Sequence, residues 1–146
     1  MFQSRWDFGL MAKDALALRQ AVLVDEMGLP PSSAFDRYDE IAAHVYVWDD
    51  QGPIAAGRIF PLGEATAIGA IVTAPAHRQD PFADLVLRLL LDKAQTLAGD
   101  PILASPLQRD VPLYASFGFE AIPSTPNTYS VPKGAIRWHS ACQGEG

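Results

Sequence analysis

The sequence predicts a mixed α/β domain in which helices pack on a central sheet. Helical segments with one apolar face alternate with β-rich apolar runs, and no linker, repeat or low-complexity segment separates them. The chain has 146 residues, of which 49% are hydrophobic. That length and composition suit one continuous core. We therefore expect a single domain over residues 1–146.

The first predicted element is a helix that begins near Asp14. It stops before Gly28 and the prolines at positions 30 and 31, which cannot extend a helix. The polar stretch 32–40 that follows shows no period, so we expect an exposed loop or one loose helical turn. Loops of this kind often border a functional site. The apolar residues of the helix recur at helical spacing: Ala15, Leu18, Val22 and Leu23.

Three β-rich runs come next. Residues 44–48 (HVYVW) and 54–60 (IAAGRIF) are separated by residues 49–53, whose Asp and Gly residues suit a reversing turn. They predict a hairpin. Residues 67–74 (AIGAIVTA) form another run of strand length, which ends at Pro75 in a polar loop.

A long helix is predicted over residues 81–99, with Gly99 at its C-terminal end. A short buried strand at residues 102–104 follows it. Asp110 then caps a short helix that ends at Gly118, and residues 119–122 start a last strand. The tail from Trp138 to the C-terminus is expected to be frayed. Four residues share the expected buried face of the long helix: Phe82, Leu85, Leu89 and Leu90.

Composition excludes several classes of function. The 11 Lys and Arg residues against 17 Asp and Glu residues give a net charge of −6, without the basic patch that nucleic acids require. Cys142 is the only cysteine, so an internal disulfide is excluded, and the three histidines lack the spacing of metal ligands. The apolar runs are too short to span a bilayer, and the N-terminal residues do not resemble a signal peptide. We expect a cytoplasmic protein without a metal, a nucleic-acid partner or a membrane anchor.

Three motifs then point to one family. After the strand at 67–74, Arg78 and Ala83 have the spacing R-x-x-x-x-A immediately before a helix. This resembles the acyl-CoA loop Q/R-x-x-G-x-G/A of the GNAT superfamily. In that family, backbone N–H groups and a helix N-terminus hold the pyrophosphate of coenzyme A. Residues 113–119 (LYASFGF) are similar to the segment F-Y-x-x-x-G-F of the same family.

The third motif runs from Leu18 through Glu26 and Asp39 to His44. It resembles the ElaA-like subfamily of GNAT proteins, and the three motifs together cover roughly residues 6–123. Arg58 in GRIF and the pair at positions 68 and 69 fit the same series. The resemblance implies a GNAT-like single domain with a mixed, mostly antiparallel central sheet flanked by helices. It also implies an N-acyltransferase that moves an acetyl group from acetyl-CoA to a primary amine of a small molecule or peptide, and it implies a homodimer. The residues of the third motif are Leu18, Arg19, Val22, Val24, Glu26, Asp36, Asp39 and His44.

The resemblance also assigns roles to individual residues. Tyr114 corresponds to the general acid that protonates the leaving thiolate, and Glu26 is the first choice for a general base. For Asp36 and Asp39, a structural role in a solvent-exposed turn is equally open. His44 could equally be a strand residue whose imidazole is hydrogen-bonded by a neighbour, and Arg19 could form a salt bridge with Asp or Glu on a nearby loop. The implied CoA contacts are Ile71, Val72, Arg78, Gln79, Phe82 and Ala83. The implied acceptor contacts are Arg19, Asp36, Asp39 and His44.

The loop departs from the family pattern at Pro81, where glycine is expected. Proline offers no N–H, so one pyrophosphate hydrogen bond is lost. Asp80 adds a negative charge there, or serves as the N-cap of a helix that begins at Pro81. Two alternatives therefore stay open: a catalytically silent GNAT-like binding module, and an acyltransferase that uses an acyl carrier protein.

The carrier-protein alternative has support of its own. The segment from Arg19 to Asp39 also resembles acyl-homoserine-lactone synthases, relatives that take their acyl group from a carrier protein. A basic patch near Arg78 and Arg88 would favour this donor, because carrier proteins are acidic.

Overall fold

The computed structural model describes residues 1–139 as a seven-stranded sheet with helices on both faces. Cys142 and most of the tail that we expected to be frayed lie outside the described residues. Within residues 1–139, no helix is both long and apolar enough to cross a membrane. The main elements are β1 (Gln3–Phe8), α1 (Lys13–Arg19), β2 (Ala43–Asp49), β3 (Gly52–Leu62), β4 (Ala65–Thr73), α2 (Phe82–Ala94), β5 (Ile102–Ala104), α3 (Val111–Ser116), β6 (Glu120–Ala121) and β7 (Tyr129–Val131).

The strands lie in the order β1-β2-β3-β4-β5-β7-β6. Five of the six neighbouring pairs are antiparallel, and only β4 and β5 run parallel. The predicted mixed, mostly antiparallel sheet is therefore confirmed. A parallel pair needs a crossover connection, and here α2 supplies it between β4 and β5.

The predicted hairpin is β2 and β3. The side chain of Asp49 accepts a hydrogen bond of 2.8 Å from the backbone N–H of Gln51, which closes the turn. Two strands were not predicted. β1 has no run of β-branched residues and is defined by its pairing with β2, and β7 is only three residues long.

The first helix continues beyond α1 as a π-helical segment, Gln20–Glu26. Gly28 follows it with φ of 73°, a left-handed conformation that suits glycine and ends the helix. The stretch predicted as a loop contains two short 3-10 turns, Pro31–Ser33 and Arg37–Glu40. The predicted end of the helix before Gly28 is confirmed.

The two faces of the sheet carry separate cores, because successive residues of a strand point to opposite faces. Val45 of β2 packs in the larger core beneath α2 and α3, whereas its neighbour Tyr46 packs beneath α1. Of the predicted buried face of α2, Leu90 is fully buried, Phe82 and Leu89 are partly buried and pack against the larger core, and Leu85 is only partly buried. The helix is rotated so that a different stripe is fully buried: Val86, Leu87, Leu90, Leu91 and Ala94.

Candidate active site

The sheet opens between β4 and β5. The pairing of these parallel strands ends where Ile68 lies opposite Ala104. β4 then continues to Thr73, while the chain leaves β5 after Ala104. Residues 69–73 therefore present to the opening an edge that β5 does not pair.

A β-bulge in β4 lies at this opening. The register between β3 and β4 shifts between Ala56 and Arg58, so that Ala70 and Ile71 lie opposite a single residue of β3. Ala70 has φ of 51°, a left-handed conformation that costs a residue with a side chain about 1–2 kcal/mol. Strain of this kind concentrates at functional sites, and a bulge leaves backbone hydrogen-bonding groups outside the ladder.

Two adjoining cavities fill the opening, and Ile71 and Asp110 line both of them. We call the one of about 230 Å³ the inner cavity; its lining includes Leu23, Arg58, Ala70, Ile71, Ser105 and Tyr114. We call the one of about 210 Å³ the outer cavity; its lining includes Ile71, Thr73, Arg78, Asp80, Ala83 and Arg109.

Tyr114 lies where α3 meets the inner cavity. Only 1% of its surface is exposed, and its ring packs edge to face on Phe119 with 5.3 Å between the ring centroids. Burial, aided by the charge of Asp110, raises the pKa of Tyr114 well above its usual range. The phenol is protonated at neutral pH, as an unperturbed tyrosine also is, and burial makes it a weaker acid than tyrosine in water.

The predicted phosphate loop opens α2 beside the outer cavity. Pro81 itself occupies the N-cap position and the helix begins at Phe82, so the prediction of Asp80 as N-cap was wrong. The Asp80 carboxylate instead lies 3.5 Å from Nδ1 of His77. The first-turn N–H groups of Phe82 and Ala83 stay available for an anion because a helix gives its first donors no internal acceptor.

The remaining predicted CoA contacts differ in their surroundings. Ile71 lines both cavities, whereas Gln79 is exposed. The Val72 side chain packs in the core beneath α1, and its backbone pairs with Ala56.

Arg78 and Glu26 form an ion pair, although they lie 52 positions apart in the sequence. The Nε of Arg78 donates to the backbone oxygen of Thr73 at 3.1 Å. Both terminal nitrogens of the guanidinium donate to the Glu26 carboxylate, and Nη2 lies 2.6 Å from Oε1. Hydrogen bonding from Arg78 lowers the pKa of Glu26, which makes this carboxylate a weaker base.

Arg19, Asp39 and His44 form a buried cluster. Each is at most 1% exposed. Arg19 donates to Oδ1 of Asp39 at 2.6 Å and to Nδ1 of His44 at 3.1 Å, while Nε2 of His44 donates to the Asp39 carbonyl at 3.2 Å. This pattern fits a neutral imidazole, and burial lowers the pKa of His44. Burial alone would raise the pKa of Asp39, but Arg19 and other donors lower it.

The same cluster extends to Arg58. Nη1 of Arg58 donates to Asp36 at 2.7 Å and to Asp39 at 2.9 Å, and Nη2 donates to Asp36 at 2.8 Å. Asp36 and Asp39 also form a capping box at the 3-10 turn Arg37–Glu40. Of these charged residues, Arg58 is the one that lines the cavities.

A third cavity of about 440 Å³ adjoins the inner cavity, with which it shares Arg58, Ala70 and Ser105. We call it the apolar cavity. Among the described residues that line it, Arg58 is the one charged side chain. The sequence did not single out Ser105, which lines both of these cavities, or Arg109, which lines the outer cavity, because no motif marks them. The hydrophobic residues that line the apolar cavity include Phe60, Leu62, Ala67, Ile68, Leu103 and Ile122.

Comparison with known proteins supports the fold. No protein-family model matches the chain. The uncharacterized N-acetyltransferase YjcF of Bacillus subtilis is 23% identical over 110 residues, which cover 75% of this chain and 79% of that protein.

Solved structures agree more closely in shape than in sequence. An acyl-CoA N-acyltransferase from Pseudomonas aeruginosa has a TM-score of 0.72 at 22% identity, covering 84% of this chain and 89% of that one. Escherichia coli ElaA has a TM-score of 0.72 at 21% identity, covering 89% and 97% respectively. The strand order, the single parallel pair and these likenesses together show that the chain has the fold of the GNAT acyltransferases.

Proposed function

We propose that this protein is an N-acyltransferase that moves an acyl group from coenzyme A, most simply the acetyl group of acetyl-CoA, to a small amine. The observation that carries the proposal is the opening between β4 and β5, with the neutral phenol of Tyr114 at its inner cavity. A pantetheine arm can pair with the free edge of residues 69–73. The bulge at Ala70 and Ile71 leaves backbone groups that can polarise a thioester carbonyl.

In the proposed reaction the acceptor nitrogen attacks the thioester carbonyl. A C–N bond forms, the C–S bond breaks, and Tyr114 donates its proton to the departing thiolate. The attacking amine releases one proton to solvent, and the Tyr114 phenolate takes one proton from solvent before the next turnover, so the net products are the amide and the free thiol of coenzyme A. Arg78 and the N–H groups of Phe82 and Ala83 hold the donor phosphates, with Gln79 beside them.

The acceptor enters through the apolar cavity. Within residues 1–139, its lining has no carboxylate to hold an ammonium group, and its one charged residue is Arg58, already paired with Asp36 and Asp39. Apolar surroundings disfavour a protonated amine, so the acceptor is bound in the neutral form that attacks. We therefore propose a small monoamine with an apolar body.

The four predicted acceptor contacts fit a supporting role in this proposal. Arg19, Asp39 and His44 are fully buried and bonded to one another, and Asp36 holds Arg58. Through Arg58 they fix the wall that the acceptor touches. The proposed homodimer and a cytoplasmic location carry over from the sequence as predictions.

Calorimetric titration with acetyl-CoA and with free phosphopantetheine tests the donor. We expect micromolar binding of acetyl-CoA and much weaker binding of phosphopantetheine, because the loop contacts nucleotide phosphates. Equal binding of both would point to a carrier-protein donor, although Arg78 and Arg88 each already pair with a carboxylate. Binding of neither would identify a silent module.

A transfer assay tests the acceptor class. Release of free thiol from acetyl-CoA is followed with isoamylamine and phenethylamine as apolar monoamines, and with putrescine and glycine as charged competitors of similar size. We expect turnover with the first pair. Faster turnover with putrescine would contradict the apolar acceptor.

A further inference from the structure

Glu26 and Arg78 form an ion pair across 52 positions of the chain, at the place where the proposed donor phosphates bind. Glu26 is the last residue of the π-helical segment that follows α1, and Arg78 lies in the loop before α2. Because Arg78 lines the outer cavity, the pair lies beside that cavity. Neither the predicted base role of Glu26 nor the predicted phosphate contact of Arg78 requires this pairing.

The geometry leaves Arg78 no donor pair for another anion. Its Nε is held by the Thr73 carbonyl, and both terminal nitrogens face the two oxygens of Glu26. A carboxylate and a phosphate can each accept two parallel hydrogen bonds from a guanidinium group. Glu26 thus occupies the position that a phosphate of the donor would take.

The ion pair is also exposed enough for another anion to replace its carboxylate. The side chains of Arg78 and Glu26 are 26% and 38% exposed, respectively. Exposed ion pairs contribute little net stability, so an incoming phosphate can replace the carboxylate at small cost. A buried pair such as that of Arg19 and Asp39, at 1% and 0% exposure, could not exchange in this way.

The charges around the outer cavity also affect how an anion would bind there. Arg78 and Arg109 face the carboxyl groups of Asp80 and Asp110, and Glu26 adds a third. Arg109 also acts on Glu26 through its charge. Without Glu26 the two arginines would face two carboxyl groups instead of three.

We propose that Glu26 is an internal competitor for phosphate at Arg78, which the donor displaces when it binds. The proposal rests on the proposed function, because it takes the outer cavity as the site of the donor phosphates. It assigns Glu26 to the control of donor affinity in place of the predicted base role.

The test compares Glu26→Gln and Glu26→Ala with the wild-type protein by calorimetric titration. The two probes are acetyl-CoA and inorganic pyrophosphate. Both variants are expected to bind both ligands more tightly, on the order of tenfold, because they lose a competitor and a repelling charge. The matched control is Asp25→Asn, which removes one negative charge from the adjacent residue. The Asp25 carboxylate contacts Gln20 instead of Arg78, so affinity should stay within about twofold of wild type.

The outcomes separate this proposal from the proposed function. Unchanged or weaker binding of pyrophosphate by both Glu26 variants would overturn the competitor role, even in a protein that transfers acetyl groups. Tighter binding of pyrophosphate would support it, even if no variant transfers an acyl group and the acyltransferase proposal fails. Loss of turnover at saturating acetyl-CoA without any tightening would overturn the competitor role and favour Glu26 as the base.

Discussion

At the scale of single residues, burial decides which polar groups can do chemistry. Arg19, Asp39 and His44 satisfy one another inside the protein, as the salt-bridge and strand-residue alternatives anticipated. Tyr114 is equally buried, yet it lines the inner cavity, where its protonated phenol can face a bound thioester. The two cases differ because Tyr114 lies beside a cavity, whereas the other three side chains bond to one another.

The substitution Tyr114→Phe tests the role of the phenol proton in the reaction. The variant keeps the ring packing on Phe119, so acetyl-CoA affinity should stay within about twofold of wild type, while turnover falls about a hundredfold or more. Steady-state rates and calorimetric titration measure the two quantities. Tyr129→Phe, in β7, serves as the matched control and should retain wild-type turnover. Equal turnover in wild type and Tyr114→Phe would remove the phenol from the mechanism.

At the scale of elements, the junction of β4 with α2 sets the donor site. Pro81→Gly supplies an N–H at the N-cap position that proline lacks, so acetyl-CoA should bind several-fold more tightly. Calorimetric titration gives the affinity. Pro123→Gly makes the same change in an exposed turn and should leave affinity unaltered. If Pro81→Gly also leaves it unaltered, the loop does not contact phosphate.

The packing of α2 on the sheet depends on Gly57 in β3. A Cβ atom there would lie 2.7 Å from Cγ1 of Val86, closer than real contacts allow, and 3.0 Å from Cδ1 of Leu90, tighter than most real contacts. Gly57→Ala should therefore lower the free energy of unfolding by about 1–3 kcal/mol in urea denaturation. Gly134→Ala is the control, since its Cβ would meet nothing within 4 Å. A Gly57→Ala protein of wild-type stability would show that α2 shifts without cost.

At the scale of the whole molecule, the buried cluster links stability to pH. The pKa of His44 is lowered in the folded protein, below its unfolded value of about 6.5. The stabilisation that His44 provides in its neutral form is therefore fully present above about pH 6.5. It is lost as the pH falls toward the pKa of His44 in the folded protein, at up to about 1.4 kcal/mol per pH unit. The lowered pKa values of Asp36 and Asp39 add a second loss below about pH 4.

Urea denaturation between pH 7 and pH 3 measures both effects. The wild-type protein should lose stability in two steps, the first below about pH 6.5 and the second below about pH 4. His44→Gln removes the titrating group, so its first step should flatten while the second remains. Identical slopes in the two proteins would assign the first step to another group.

Much of the fold was predictable because it is local in sequence. The hairpin of β2 and β3, the end of the first helix before Gly28 and the start of a helix near Pro81 each depend on residues within a few positions. β1 was missed because its strand conformation comes from pairing with β2, some 40 positions away. The buried stripe of α2 was misplaced because the sheet, and not the helix, sets its rotation.

For the candidate site, the sequence by itself determined the identities of the chemical groups. It singled out Tyr114, Arg78 and Pro81, since motif spacing on a strand–loop–helix unit marks such residues. Only the tertiary structure decided which groups meet. The pairing of Glu26 with Arg78, the burial of Arg19 with Asp39 and the opening beside β5 each join segments at least 20 positions apart. Contacts at that range follow from how the elements pack, which local residue patterns do not encode.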